Sequence, residues 1–348
     1  NENGARIYLS DAILRHTTGV AETLLPPAHT FDTLAQDVEG VVLHDGYNYV
    51  VEVTSPLRFT RGPEPDTNKP RRVPASDAHL SVATYNLENL YDRHDDPFDS
   101  KDFRMTSTDR VFNYVPQTEE EYEGRLACLA QQIISDLRAP DILMLQEIED
   151  QDIACLQSKI LSYDNANNQD GQPDPLQDLA LAILALGGPE YVASFDRYGA
   201  DSRGITSAFM HRPDRVALVE DGEATALLKD IPAVSYLGSA LVAAMGFHNP
   251  RSINALHPDL GIVYERPPQL AVFKAKHAAL RSKSLIYVLN NHFESRPDKY
   301  VAERKAQAAF NAAIVQHIYS FDANANVIVA GDLNTFPRPY EPVPAEPA

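Results

Sequence analysis

The stretch VIVAGDLNTFP, Val327–Pro337, decides how this chain reads. Val327 to Ala330 form a short apolar run of the kind found in strands covered on both faces. Gly331 breaks the run, and Asp332 and Asn334 follow at once. Polar side chains at the mouth of a buried strand have two readings. Asp and Asn bond their own backbone and build turns, while in α/β sheets ligand sites gather where strands end. The rest of the chain weighs between them.

The same grammar recurs upstream. Asn86 and Glu88 follow SVATY within LSVATYNLENLYD, Leu80–Asp92. PDILMLQEIED, Pro140–Asp150, reads as a strand covered on both faces that stops at Glu147. Asn291 and His292 follow LIYVLN within SLIYVLNNHFES, Ser284–Ser295. GITSAFMHRPDRVALV, Gly204–Val219, predicts two strands about an Arg-Pro-Asp turn, and RPPQLAVFKAK, Arg266–Lys276, one more. Helical spacing falls between them. TEEEYEGRLACLAQQIISDL opens with a Thr118/Glu121 capping box, DQDIACLQSKIL (Asp150–Leu161) reads as a helix, and KYVAERKAQAAFNAAIVQHIYSF is long and amphipathic. Strands alternating with helices predict an α/β domain.

That domain is expected over 79–337. Residues 1–60 predict a small β-rich module, with VVLHDGYNYVVEV as a hairpin turning at Asp45-Gly46. RGPEPDTNKPRRVPASD is rich in Pro and charge, so 61–78 reads as a linker and 338–348 as a proline-rich tail.

Composition limits the function. The 348 residues are 44% hydrophobic, enough for a proper core, and 30 Lys and Arg against 49 Asp and Glu give a net charge of −19. Such a balance argues against broad polyanion binding through a basic surface. It leaves room for an enzyme that grips a few phosphates and lets a cation carry the positive charge. No apolar run reaches the roughly 18 residues of a membrane span. Cys128 and Cys155 are too few for a disulfide scaffold; both fall in helix-like stretches and are expected as buried free thiols.

If the strand ends converge, they form one cleft of carboxylates, amides and an imidazole. Oxygen-rich sites of that composition suit Mg²⁺. Zinc is a poorer match, since His292 has no second ligand at fixed spacing. No G-x-S-x-G elbow supports a serine triad. Asp92–Asp102 and the 164–171 loop both miss the EF-hand pattern. Ala233–Pro258 reads as an insertion or a lid.

In order, Y-N-L-E-N-L-Y-D, L-Q-E-I-E, R-G-I-T-S-A-F-M-H-R-P-D-R-V, N-N-H-F-E-S-R and G-D-L-N resemble the endonuclease/exonuclease/phosphatase superfamily, and most of all its bacterial secreted-nuclease branch. The resemblance covers about Leu80 to Pro337. It implies two β-sheets packed face to face with helices outside, and phosphodiester hydrolysis with Mg²⁺ or Mn²⁺ by in-line attack of an activated water. Glu147 is then the principal metal carboxylate, with Asn86 beside it. His292 bonds a phosphate oxygen, Asp332 orients or deprotonates the water, and Asn334 helps hold it. Arg203 and Asn291 are expected at the substrate, a nucleic acid or another phosphodiester. The branch also implies an extracellular or periplasmic location, and nothing in the sequence implies a protein partner.

The superfamily continues past G-D-x-N to a Ser-Asp-His, whereas here no histidine follows His317. Three expectations arise: a chain that continues beyond this sequence, a catalytically impaired relative that binds a phosphate compound or a protein, or a pair supplied from elsewhere, such as Asp11 and His16. Phosphatase and sphingomyelinase-like activities are the alternatives within the enzyme reading.

Overall fold

A computed structural model gives the structure of the chain and describes residues 8–10, 24–26, 32–44, 49–60, 79–92, 116, 118–149, 155–157, 160–162, 175–196, 205–231, 248–277, 285–296 and 299–335. The chain divides into two compact units, Asn1–Pro70 and Arg71–Ala348. Residues 61–78, expected as a linker, and 338–348, expected as a tail, lie outside the described residues.

The first unit holds β1 (Tyr8–Ser10), β2 (Thr33–Leu34), β3 (Gly40–His44), β4 (Tyr49–Val53) and β5 (Phe59–Thr60). β3 and β4 form the expected antiparallel hairpin, Gly40 opposite Val53 and His44 opposite Tyr49. The Asp45-Gly46 turn lies outside the described residues. β1 joins β4 in parallel, and β2 pairs with β5.

The second unit is an α/β sandwich. In chain order its elements are β6 (Val82–Leu90), α1 (Glu119–Ser135), β7 (Ile142–Glu149), β8 (Cys155–Gln157), β9 (Ile160–Ser162), α2 (Pro175–Ala185), β10 (Val192–Ser194), β11 (Ile205–His211), β12 (Val216–Leu218), α3 (Asp221–Leu228), β13 (Arg251–Ser252), β14 (Leu256–His257), β15 (Gly261–Ile262), β16 (Gln269–Ala275), β17 (Leu285–His292), α4 (Val301–Phe321) and β18 (Asn326–Asp332). One sheet runs β10-β11-β7-β6 and the other β12-β16-β17-β18, with β13 also on β16.

Alternation of side chains across each strand sorts the core into three layers. Ile142, Met144, Phe209, Ala271, Phe273, Ile286 and Val288 pack between the sheets. Leu143, Leu145, Ala208 and Met210, the neighbours in sequence, face the other way onto α1 and α2. Leu270, Val272, Tyr287 and Leu289 face α3 and α4. Strands such as ILML are therefore apolar throughout because both their faces are covered.

The helices start and pack for local reasons. Thr118 caps α1, its hydroxyl accepting from the Glu121 N–H at 3.2 Å. Tyr122, Leu126, Leu129, Ala130 and Ile133 then recur at helical spacing on the buried face. The turn between β11 and β12 carries the chain from one sheet to the other. Arg215 pins it, donating from Nε to Asp141 Oδ1 at 2.9 Å and from a terminal nitrogen to the His79 carbonyl at 2.8 Å. Breaking such a buried pair by removing one partner costs about 3–5 kcal/mol.

Three expectations need correction. The described part of DQDIACLQSKIL is strand and not helix: β8 and β9 pair antiparallel, Cys155 opposite Ser162 and Gln157 opposite Ile160. A short apolar run fits both periods, and here cross-strand pairing decides between them. Cys128 is a free thiol but is exposed on α1, directly before the buried Leu129. β7 continues past Glu147 to Glu149, because a bulge absorbs the irregular residue rather than ending the strand.

Candidate active site

The sandwich is apolar through its centre and turns polar at one end. Asn290 on β17 is fully buried and crosses between the sheets, donating to the carbonyls of Leu145 and Ala208, each at 2.8 Å. Its Oδ1 accepts from Gln146 Nε2 at 2.6 Å. Helix α4 shows the same change along its buried stripe, from Arg304, Gln307 and Asn311 to Ile314 and Ile318. Asn311 Nδ2 donates to Asn291 Oδ1 at 2.9 Å, and the Tyr264 hydroxyl meets both asparagines. A buried polar network of this kind holds its members only when each is satisfied, and it fixes the last turns of β17 just before His292.

Above this layer lie the strand ends. Glu147 sits at the bulge. Gln146 faces Ser207 and Ile148 faces Thr206, so Glu147 has no opposite residue on β11. On its other side the β6 register slips between Asn86, paired with Gln146, and Leu90, paired with Ile148. Glu147 has φ +59°, and Glu88 and Asn89 across from it have +55° and +60°. Bulges of this kind re-aim a side chain beside a site.

Asp332 is placed differently. It ends β18 opposite His292, directly after Gly331, whose φ is +134°. A Cβ on Gly331 would stand 2.0 Å from the Asn291 carbonyl oxygen, so only glycine lets β18 lie this close to β17. Asp332 Oδ1 accepts from the Asn334 N–H at 2.9 Å and Oδ2 from Asn86 Nδ2 at 3.0 Å. Asn86 is held in turn, its Oδ1 accepting from the Glu88 N–H at 2.8 Å.

His292 joins the two acids. Its Nε2 lies 3.4 Å from Glu147 Oε1 and 4.0 Å from Asp332 Oδ2. The imidazole is 3% exposed, Glu147 15% and Asp332 30%, so the cluster opens to solvent on the Asp332 side. A nitrogen that faces two carboxylates serves as a donor.

The structure thus brings Asn86, Glu147, His292, Asp332 and Asn334 together. Arg203 lies outside the described residues. Asn291 is fully buried, its Nδ2 donating to the Leu289 and Ala330 carbonyls, and it supports the site from beneath. Asp332 and Asn334 do not share one side of an extended strand: Asn334 has φ +45° and its N–H folds back onto Asp332, because an aspartate bonding two residues ahead makes a turn. Among the residues the sequence reading passed over, Gln146, Asn290, Tyr264 and Asn311 build the support. The adjacent amides of LNNH were the available signal for Asn290.

Among the described residues no group of three or more His, Cys, Asp and Glu side chains is gathered closely enough to hold a metal by itself. The donors present, a half-buried carboxylate with an amide on the neighbouring strand, fit a hard cation that keeps several waters and takes its other ligands from substrate.

A scan against protein-family models and a search of curated proteins find no match for the chain. Among solved structures it is similar to TDP2 from C. elegans, at 17% identity and a TM-score of 0.37, over 74% of this chain and 48% of that one. ANGEL2, described as a 2′,3′-cyclic phosphatase, is 13% identical with a TM-score of 0.40, over 74% and 53%. A functionally unknown conserved protein from Enterococcus faecalis V583 is 13% identical with a TM-score of 0.36, over 74% and 67%. The chain spans about half the length of the first two. At these TM-scores the likeness is partial, and the fold is read from the strands and cores described above.

Proposed function

We propose that this chain is a divalent-metal-dependent phosphodiester hydrolase acting on nucleic acid. The observation that carries the reading is the convergence of Glu147, His292 and Asp332, from three strands of two sheets, with His292 Nε2 between the acids. The ordered motifs that resemble the endonuclease/exonuclease/phosphatase superfamily support it independently of geometry.

A phosphodiester is an anion and repels hydroxide, so hydrolysis needs charge neutralisation and an aligned water. Glu147 and Asn86 would hold the cation, which would supply Lewis acidity to the phosphate. Asp332 has a lone pair left on each oxygen after accepting from Asn86 and Asn334, and its open side faces solvent; it takes the proton of the attacking water. His292 directs its N–H at a non-bridging oxygen once substrate enters between the acids. Asn334 holds Asp332 from the backbone and anchors through Nδ2 to the Phe293 carbonyl at 3.1 Å.

The test is turnover of plasmid DNA, RNA and bis(4-nitrophenyl) phosphate with Mg²⁺ or Mn²⁺. Activity that vanishes with chelator is the expected result, and the absence of turnover with Mg²⁺, Mn²⁺ and Ca²⁺ overturns the proposal. One observation favours a second reading, a phosphate-binding module without turnover: among the described residues no three His, Cys, Asp or Glu side chains stand close enough to hold a metal by themselves. It predicts phosphate binding without hydrolysis.

A further inference from the structure

Arg266 stands beside this cluster and has no carboxylate partner among the described residues. It lies in the segment between β15 and β16, half-buried, and one terminal nitrogen donates to the Phe293 carbonyl at 2.9 Å. That same carbonyl accepts from Asn334 Nδ2 at 3.1 Å, so the two donors lie within about 6 Å of each other. Phe293 directly follows His292, and its own N–H donates to the Asp332 carbonyl at 2.8 Å. Arg266 is thus tied to the backbone that carries both His292 and Asp332. Its Nε is buried with no hydrogen-bond partner. A guanidinium has five N–H donors in a rigid fork, and here one bond within the protein is made. A buried donor left unpaired calls for an acceptor that arrives from outside.

Among the described residues, two other arginines of this end of the sandwich are committed to the fold. Arg304 donates to the carbonyls of Glu294, Ser295 and Arg296, and Arg125 to those of Leu87 and Glu88. In a chain of net charge −19, an arginine with an unpaired Nε on the backbone that carries His292 is the feature that most needs a ligand. We propose that Arg266 is a substrate-binding residue that takes a phosphate oxygen of the diester on its Nε and remaining terminal N–H groups. The fork matches phosphate geometry, and charge-assisted bonds of this type are the strong ones. The inference rests on the hydrolase reading for its substrate; the broader ligand class, an oxyanion, follows from the arginine.

The test needs no catalysis. Inorganic phosphate is titrated against the intact protein in Mg²⁺, following the Arg266 Nε–H resonance by NMR and the affinity by calorimetry. In the wild type the Nε–H resonance is expected to shift and sharpen on saturation. Arg266→Gln is expected to weaken phosphate binding by about 10- to 100-fold with its melting temperature nearly unchanged. Arg266→Lys keeps a charge and the reach to Phe293 but not the fork, and is expected to bind several-fold more weakly. An Nε–H resonance indifferent to phosphate overturns the inference even if the Gln variant folds poorly, as does a folded Gln variant that binds like wild type. Phosphate binding that depends on Arg266 in a protein without diesterase turnover sinks the hydrolase reading and leaves this one standing.

Discussion

β7 and β18 carry the two acids of the site and are written in the same pattern, an apolar run that ends in an acid, ILMLQE and VIVAGD. Their surroundings differ. β7 lies between β11 and β6, and Ile142 to Leu145 are fully buried. β18 is the last strand of its sheet among the described residues, and Val329 on it is 38% exposed. The two acids are aimed by different devices as well. A bulge with φ +59° turns Glu147 out of a buried strand, while Gly331 and the backbone bond from Asn334 set Asp332 at the end of an edge strand. The comparison teaches that one carboxylate is fixed by what packs around it and the other by what the chain does locally.

The largest test of that contrast is chemical. Glu147→Gln and Asp332→Asn are each expected to lower kcat by about 1,000-fold, measured on bis(4-nitrophenyl) phosphate. If Asp332→Asn alone retains activity, the edge acid is not the one that takes the proton. Next comes the local device. Gly331→Ala places a Cβ 2.0 Å from the Asn291 oxygen at a φ that L-residues avoid, and is expected to destabilise the protein by about 3 kcal/mol, read by urea denaturation.

Packing sharpens the difference between the strands. Leu145→Ala on β7 opens a cavity in a fully buried layer and is expected to cost about 3 kcal/mol; Val329→Ala on β18 is expected to cost less than about 1 kcal/mol. Equal losses would mean that another surface covers β18 in solution.

A pH-dependent effect is expected at the far end of β11, where His211 lies opposite the start of β7. It is buried, its Nδ1 has no hydrogen-bond partner, and burial with Lys276 nearby pushes its pKa down to about 4. Because the folded value lies below the usual 6.5, this contribution is fully present above pH 6.5 and is lost as pH falls towards 4. The expected loss is about 2–3 kcal/mol, checked by stability against pH, and His211→Gln is expected to flatten that slope.

Much of the α/β arrangement was legible because period and punctuation are local. Thr118 announced α1, and the apolar runs before Glu147, His292 and Asp332 announced their strands. What stayed hidden depends on partners far along the chain. VIVAG does not tell an edge strand from a central one, since neighbours in space and not in sequence decide it. The 150–161 segment fitted two periods until pairing chose. Asp332 and Asn334 looked like a pair of presented side chains, and the backbone of Asn334 bends back instead. Arg266 gave no signal, because an Arg-Pro-Pro before a strand is ordinary until its Nε is found buried and unbonded.

Eight non-glycine residues among those described have positive φ, and Glu88, Asn89, Glu147 and Asn334, half of them, surround this one cluster. A left-handed backbone favours glycine, so each of these positions would relax on losing its side chain. The consequence is for anyone who improves this protein by selection. A screen for thermal tolerance alone would reward glycine at these four places, and would dismantle the proposed active site while reporting success.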